Sequence, residues 1–146
     1  MAGVTVRITG AKEIERMLRA LPARIAGKIV RPALRAAAKE IQTEAKRLAP
    51  FKSGLLRKNI KVRAGKRKRG RISVLVQNKA GDYRGETYYA AFQEFGYRIG
   101  SRKLGTSRKE VAGKGFMRRA GESKQKAATE IVSRMMREGV IREAKK

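Results

Sequence analysis

The sequence predicts an α+β fold: a small antiparallel sheet packed against a long helix, followed by a C-terminal helix, with a basic hairpin and a basic loop. Two observations predict it. Short stretches near residues 4–8, 56–64 and 71–77 alternate apolar and polar side chains with the period of two that a half-buried strand shows. Between the first and second of these, Ala23–Leu48 carries apolar side chains at helical spacing on one face and basic ones on the other. Strands beside so long an amphipathic helix bury their apolar faces by packing sheet on helix. At 146 residues the chain fits one domain, 1–146.

In order, Val4, Val6 and Ile8 alternate with Thr5, Arg7 and Thr9, and Gly10 ends this first strand. Ile14, Met17, Leu18 and Leu21 mark a helix over Lys12–Leu21, with Glu13 and Glu15 in the first turn where the helix dipole favours acids. The second helix, Ala23–Leu48, sets Ile25, Ile29, Leu34, Ala38, Ile41, Ala45 and Leu48 opposite Arg24, Lys28, Arg31, Arg35, Lys39 and Lys46. Pro32 lies inside it and is expected to kink or split it. Glu40 and Glu44 offer local partners to Lys39, Lys46 and Arg47. Ala36, Ala37 and Ala38 permit close approach of another backbone, either the protein's own sheet or a second subunit.

Pro50 stops this helix. A turn through Ser53-Gly54 leads to a strand over Leu56–Ala64, a hairpin tip at Gly65–Gly70 and a return strand over Arg71–Gln77. The polar stretch Asn78–Glu86 holds the chain's only aspartate, Asp82. Thr87–Gly96 then gathers Tyr88, Tyr89, Phe92 and Phe95, half of the chain's aromatic residues. Aromatics suit a pleated, half-buried surface, so the run reads as a strand or a short helical turn entering one, and Tyr88–Phe95 is expected as the fourth strand of the sheet. Residues 98–115 hold six basic residues, four glycines and few apolar ones, and are expected as a long mobile loop that orders on a partner. A last helix spans about Phe116–Glu138.

Composition narrows the function. The chain has no cysteine and no histidine, which removes disulfides, thiolate metal sites, cysteine nucleophiles and the usual general base. Outside the expected helices and the C-terminal tail the only acids are Asp82, Glu86, Glu94 and Glu110, a poor set for two-metal or paired-carboxylate chemistry. No catalytic site, metal site or cofactor is expected, nor a membrane span, since no apolar run approaches the ~20 residues needed. The opening Met-Ala-Gly-Val-Thr-Val lacks the form of a signal peptide, and the chain reads as cytosolic.

What remains is charge. Lys and Arg number 38 against 12 acids, a net charge of +26. Such self-repulsion implies a polyanion or an acidic partner. The expected contacts are Lys66, Arg67, Lys68 and Arg69 at the hairpin tip, and Arg102, Lys103, Arg108 and Lys109 in the later loop. A basic tip supplies charge and no base-reading code, so binding to nucleic acid would be non-specific and salt-dependent. The alternative is a solvated surface that keeps the protein soluble. Glu94, between Phe92 and Phe95, is expected to be a structural carboxylate paired with an arginine.

Three motifs in order resemble the neck and tail-completion proteins of lambda-type long-tailed phages, the gp-ten-like group. They are Ala49-Pro50 with Ser53-Gly54-Leu55-Leu56-Arg57, then Tyr89-Ala90-Ala91-Phe92-Gln93-Glu94-Phe95-Gly96, and Gly115-Phe116-Met117-Arg118-Arg119-Ala120. Ser53 stands for the family's usual threonine, and both prolines of the last motif are missing. The resemblance implies a structural virion protein, made in the host cytoplasm and assembled as a six-fold homo-oligomeric ring at the head–tail joint. Its neighbours would be head-completion, tail-terminator or tail-tube proteins, with DNA passing through the channel. It also implies that Pro50, Ser53, Gly54, Leu56, Arg57, Tyr89, Phe92, Glu94, Phe95, Gly96 and Phe116 act structurally. Gly54 and Gly96 would serve tight backbone geometry, Phe92 and Phe95 would fill the core, and Glu94 would pair with Arg57 or Arg118.

Overall fold

A computed structural model describes residues 16, 19–51, 54–65, 72–78, 89–100 and 109–145. The elements in order are α1 (Ala23–Leu48), α2 (Leu55–Asn59), β1 (Ile60–Ala64), β2 (Val74–Asn78), α3 (Tyr89–Phe95), β3 (Gly96–Ile99), β4 (Lys109–Ala112) and α4 (Phe116–Ala144). The fold is α+β. Two long helices lie against each other, and two small antiparallel sheets pack around them. The expected first strand, Val4–Ile8, and most of the expected first helix lie outside the described residues.

The helix pair makes the core. Ala33, Ala37 and Ile41 of α1 meet Ala128, Val132 and Met136 of α4. Further along, Ala45 and Ala49 meet Phe116 and Ala120, so the helices run antiparallel. The alanines bring the two backbones close, and of the alanine-rich stretch of α1, Ala37 lies in this core against α4. Ile29 of α1 fills the space over Gly139, where an added Cβ would come within 2.5 Å of its Cγ2. That packing carries α4 through a residue costing about 1 kcal/mol in a helix, and α4 runs to Ala144 rather than ending near Glu138. Pro32 does not split α1, which spans all 26 residues. The proline is exposed, so the Lys28 carbonyl it leaves unbonded can turn to water.

β1 and β2 pair antiparallel from Ile60 opposite Asn78 to Ala64 opposite Val74. Ile60 is fully buried, and the Gln42 side chain donates to its carbonyl at 2.7 Å, tying α1 to the strand. The strand starts later than expected: Leu56–Asn59, read as strand, belongs to α2, which follows a left-handed Gly54. The hairpin tip, residues 66–69, lies outside the described residues.

Two further expectations are corrected. Tyr89–Phe95 is a helix, not a strand. Ala90, Ala91, Gln93 and Glu94 are good helix formers, and the aromatic preference for sheets does not outweigh them. The extended chain begins only at Gly96, which turns at φ +82°. Residues 98–115 are not all loop, because Gly96–Ile99 and Lys109–Ala112 form a second antiparallel ladder. Arg98 and Glu110 face each other across it, with a 2.8 Å ion pair.

Candidate functional site

The three sequence motifs converge on one end of the helix pair, where α1 finishes and α4 begins. The first motif closes α1. Arg57 donates from Nε and Nη2 to the Ala49 carbonyl, at 3.2 and 3.0 Å. Ala49 is the C-cap, so a cation sits on the end of the helix that carries partial negative charge. The guanidinium also lies 5.1 Å from the centre of the Phe51 ring, in reach of a cation–π contact. Gly54, at φ +77°, turns the chain so that α2 delivers Arg57 to this spot. Pro50 and Leu56 are half-buried beside it, and Leu56 packs against the cluster of Ala45, Ala49, Ile60, Phe116 and Ala120. Ser53 lies outside the described residues.

The second motif opens α4, the start of which is the third. Gly115 is the N-cap and has no side chain to satisfy the free N–H groups of the first turn. Glu94 does so from 23 residues away: its carboxylate accepts from the Met117 N–H at 2.8 Å and the Arg118 N–H at 3.1 Å. A negative group here also complements the helix dipole. The main chains are joined as well. Lys114 N–H donates to the Gln93 carbonyl at 2.7 Å, and Gly115 N–H to the Glu94 carbonyl at 3.2 Å. Gly96 and Gly113 let the strands approach this closely. A Cβ on Gly96 would strike the Val111 carbonyl oxygen, and one on Gly113 the Glu94 carbonyl oxygen. Phe116, 1% exposed, closes the core beneath both caps.

Several expected roles change. Among the described residues no arginine pairs with Glu94: a helix start holds it, and Arg57 is engaged with Ala49. Phe95 does not fill the core, being 63% exposed, and Phe92 is half-buried, its ring centre 5.3 Å from that of Tyr97. Among the described residues Phe116 and Ile60 are the large side chains that are fully buried. Tyr89 opens α3. Gly113 was one glycine among four in a basic stretch, and only its partner Gly96 reveals its use.

Of the expected polyanion contacts, Lys109 is exposed at the start of β4, opposite Ile99. Lys66, Arg67, Lys68, Arg69, Arg102, Lys103 and Arg108 lie outside the described residues. On α1, Glu44 is buried and accepts from Arg47 at 2.6 and 3.0 Å. The hydrogen bond from Arg47 holds the Glu44 carboxyl below the ordinary glutamate range, and the same contact raises the arginine. Among the described residues no group of three His, Cys, Asp or Glu could hold a metal ion, and no helix is long and apolar enough to cross a membrane.

The three motifs thus cap the two long helices and tie α3 to the start of α4. Residues 12–96 match the model of the HK97 gp10-like family, described as "Bacteriophage HK97-gp10, putative tail-component". The chain belongs to this family. The match spans α1 to α3 and ends on Gly96, so it takes in the first two motifs, while β4 and α4 lie beyond it. The family supports a structural role in the phage tail, and with it a place in the virion. Comparison with curated proteins and with solved structures gives no match.

Proposed function

We propose that this tail-family protein works at the head–tail joint, as a neck or tail-completion component. It assembles as a homo-oligomeric ring, six-fold in the simplest case, on the path that DNA takes out of the head. Its partners are head-completion, tail-terminator or tail-tube proteins. The observation that carries this reading is the convergence of the three motifs. They brace one end of the α1–α4 pair with charged caps and close glycine contacts, as a load-carrying structural part requires. The basic hairpin tip, Lys66–Arg69, faces DNA or an acidic neighbour.

Deleting the protein from the phage tests this. Lysates should then contain filled heads and separate tails, and supplying the protein should restore joined particles. Joined, infectious virions without it would rule the role out. The net charge of +26 favours a second reading, a free-standing protein that binds nucleic acid without sequence preference. The same phage separates the two, since that reading expects normal particles.

A further inference from the structure

The solvent face of α1 holds a row of cations that neither the caps nor the core uses. Arg24, Lys28, Arg31, Arg35 and Lys39 are all exposed; beyond them Gln42 is tied to the Ile60 carbonyl and Lys46 is half-buried. Steps of three and four residues keep them on one face. At 1.5 Å per residue the exposed row from Arg24 to Lys39 is about 22 Å long. Its acids lie elsewhere: Glu40 and Glu44 project from a different side of the helix, and Glu44 is taken by Arg47. Among the described residues no ion pair reaches the five exposed cations of the row.

We propose that this face of α1 binds the phosphate backbone of duplex nucleic acid. A protein partner fits less well. Protein interfaces centre on apolar and aromatic side chains and are depleted of lysine at the core. The α1 row offers no apolar side chain from Arg24 to Lys39. An unbroken line of one sign suits a partner whose charges also form a continuous line, and duplex DNA carries one negative charge per ~1.7 Å of axis. Contacts to phosphate position a duplex and carry no sequence information, so the binding proposed is non-specific. The inference does not rest on the ring or on the head–tail joint. Phage that assemble normally without this binding would leave it intact, and a failed joining experiment would not touch it.

The test uses the full chain and a labelled duplex of random sequence, with affinity followed by fluorescence anisotropy across a salt series. Replacing Arg24, Lys28, Arg31, Arg35 and Lys39 together by Gln should weaken binding at least tenfold at 100 mM salt. It should also lower the log–log salt slope by roughly 4, at about 0.9 per phosphate contact. The control removes five cations from α4 (Arg119, Arg134, Arg137, Arg142 and Lys145, each to Gln) and should change the slope by less than about 1. Equal losses in both variants would mean the binding follows net charge alone and would overturn the proposal. So would an unchanged slope in the α1 variant, or displacement of the duplex by poly-glutamate as effectively as by unlabelled duplex at equal charge. Circular dichroism checks folding, and the milder pair Arg31→Gln, Arg35→Gln should lower the slope by about 2 if the larger set does not fold.

Discussion

The two long helices share one core but present opposite kinds of face to water. Along α4, Arg118, Glu122, Lys126, Glu130, Arg134, Glu138 and Arg142 are all exposed and alternate in sign every four residues. Opposite charges at that spacing support a helix by about 0.2–0.5 kcal/mol per pair. Along α1 the corresponding row is all cationic, and like charges at the same spacing cost a similar amount. One row interleaves its cations with acids. The other helix is held folded by its buried side, and among the described residues no ion pair offsets its exposed row. The protein's +26 is therefore not spread evenly, and its placement says more about function than its size does.

The contrast holds only while both helices depend on the same core. Phe116→Ala should cost about 3–5 kcal/mol, the usual range for emptying a buried phenylalanine site. Because Phe116 touches the ends of both helices, α1 and α4 should lose hydrogen-exchange protection together in this variant. Loss confined to α4 would show that the two are separate units.

The caps divide the helices more finely. Glu94→Ala removes the acceptor for two N–H groups of α4 and should cost about 1–2 kcal/mol in urea unfolding. Arg57→Ala strips the C-cap contact from α1 and should cost about 1 kcal/mol. Fraying should appear at Met117–Arg119 in the first variant and at Lys46–Ala49 in the second. Fraying at the other helix's end in either case would contradict the pairing of caps seen here.

How much of this could be read from the residues differs from element to element. The bounds of α1 are plain in the sequence because its apolar spacing runs unbroken for 26 residues and Pro50 stops it. The hairpin of β1 and β2 shows in its alternation. The caps do not, because helix starts are recognised by a local Ser, Thr, Asp or Asn, and α4 starts on a glycine whose acceptor comes from another element. Glu94 was visible as an acid that needed a partner, but a backbone N–H leaves no mark in a sequence. The aromatic run misled for a related reason. Phe92 and Phe95 look like core, yet the core near them is filled by Phe116 and alanines from elements distant in the chain. The cationic row of α1 was legible, but that it faces water and not a neighbouring element required the fold.

Acid should act on α1 through one residue. The Glu44 carboxyl is held below its ordinary range by Arg47, so the unfolded chain takes up a proton first as pH falls. The stabilisation is complete above the ordinary glutamate value of about 4.3 and is lost as pH drops through the lower, folded value. Urea midpoints of the parent and of Glu44→Gln should therefore differ most at neutral pH and draw together toward pH 3. A gap that widens in acid would reverse the sign of this linkage.

Salt should separate the two faces by a few tenths of a kcal/mol. Exposed charges interact through water, and at 0.15 M ionic strength the screening length is about 8 Å, comparable to the spacing of side chains one turn apart. Raising salt from 20 to 500 mM weakens repulsion along the α1 row, so its local stability should rise. The same change weakens attraction along the α4 row, so its local stability should fall or stay level. Hydrogen exchange resolved by residue reads both at once: amides near Lys28–Arg35 should slow with salt while those near Lys126–Arg134 should not. Replacing the five exposed α1 cations by Gln should remove the first response and leave the second. If both helices slow equally in the parent, salt is acting on the shared core through the hydrophobic effect, and the two faces do not differ energetically in the free protein.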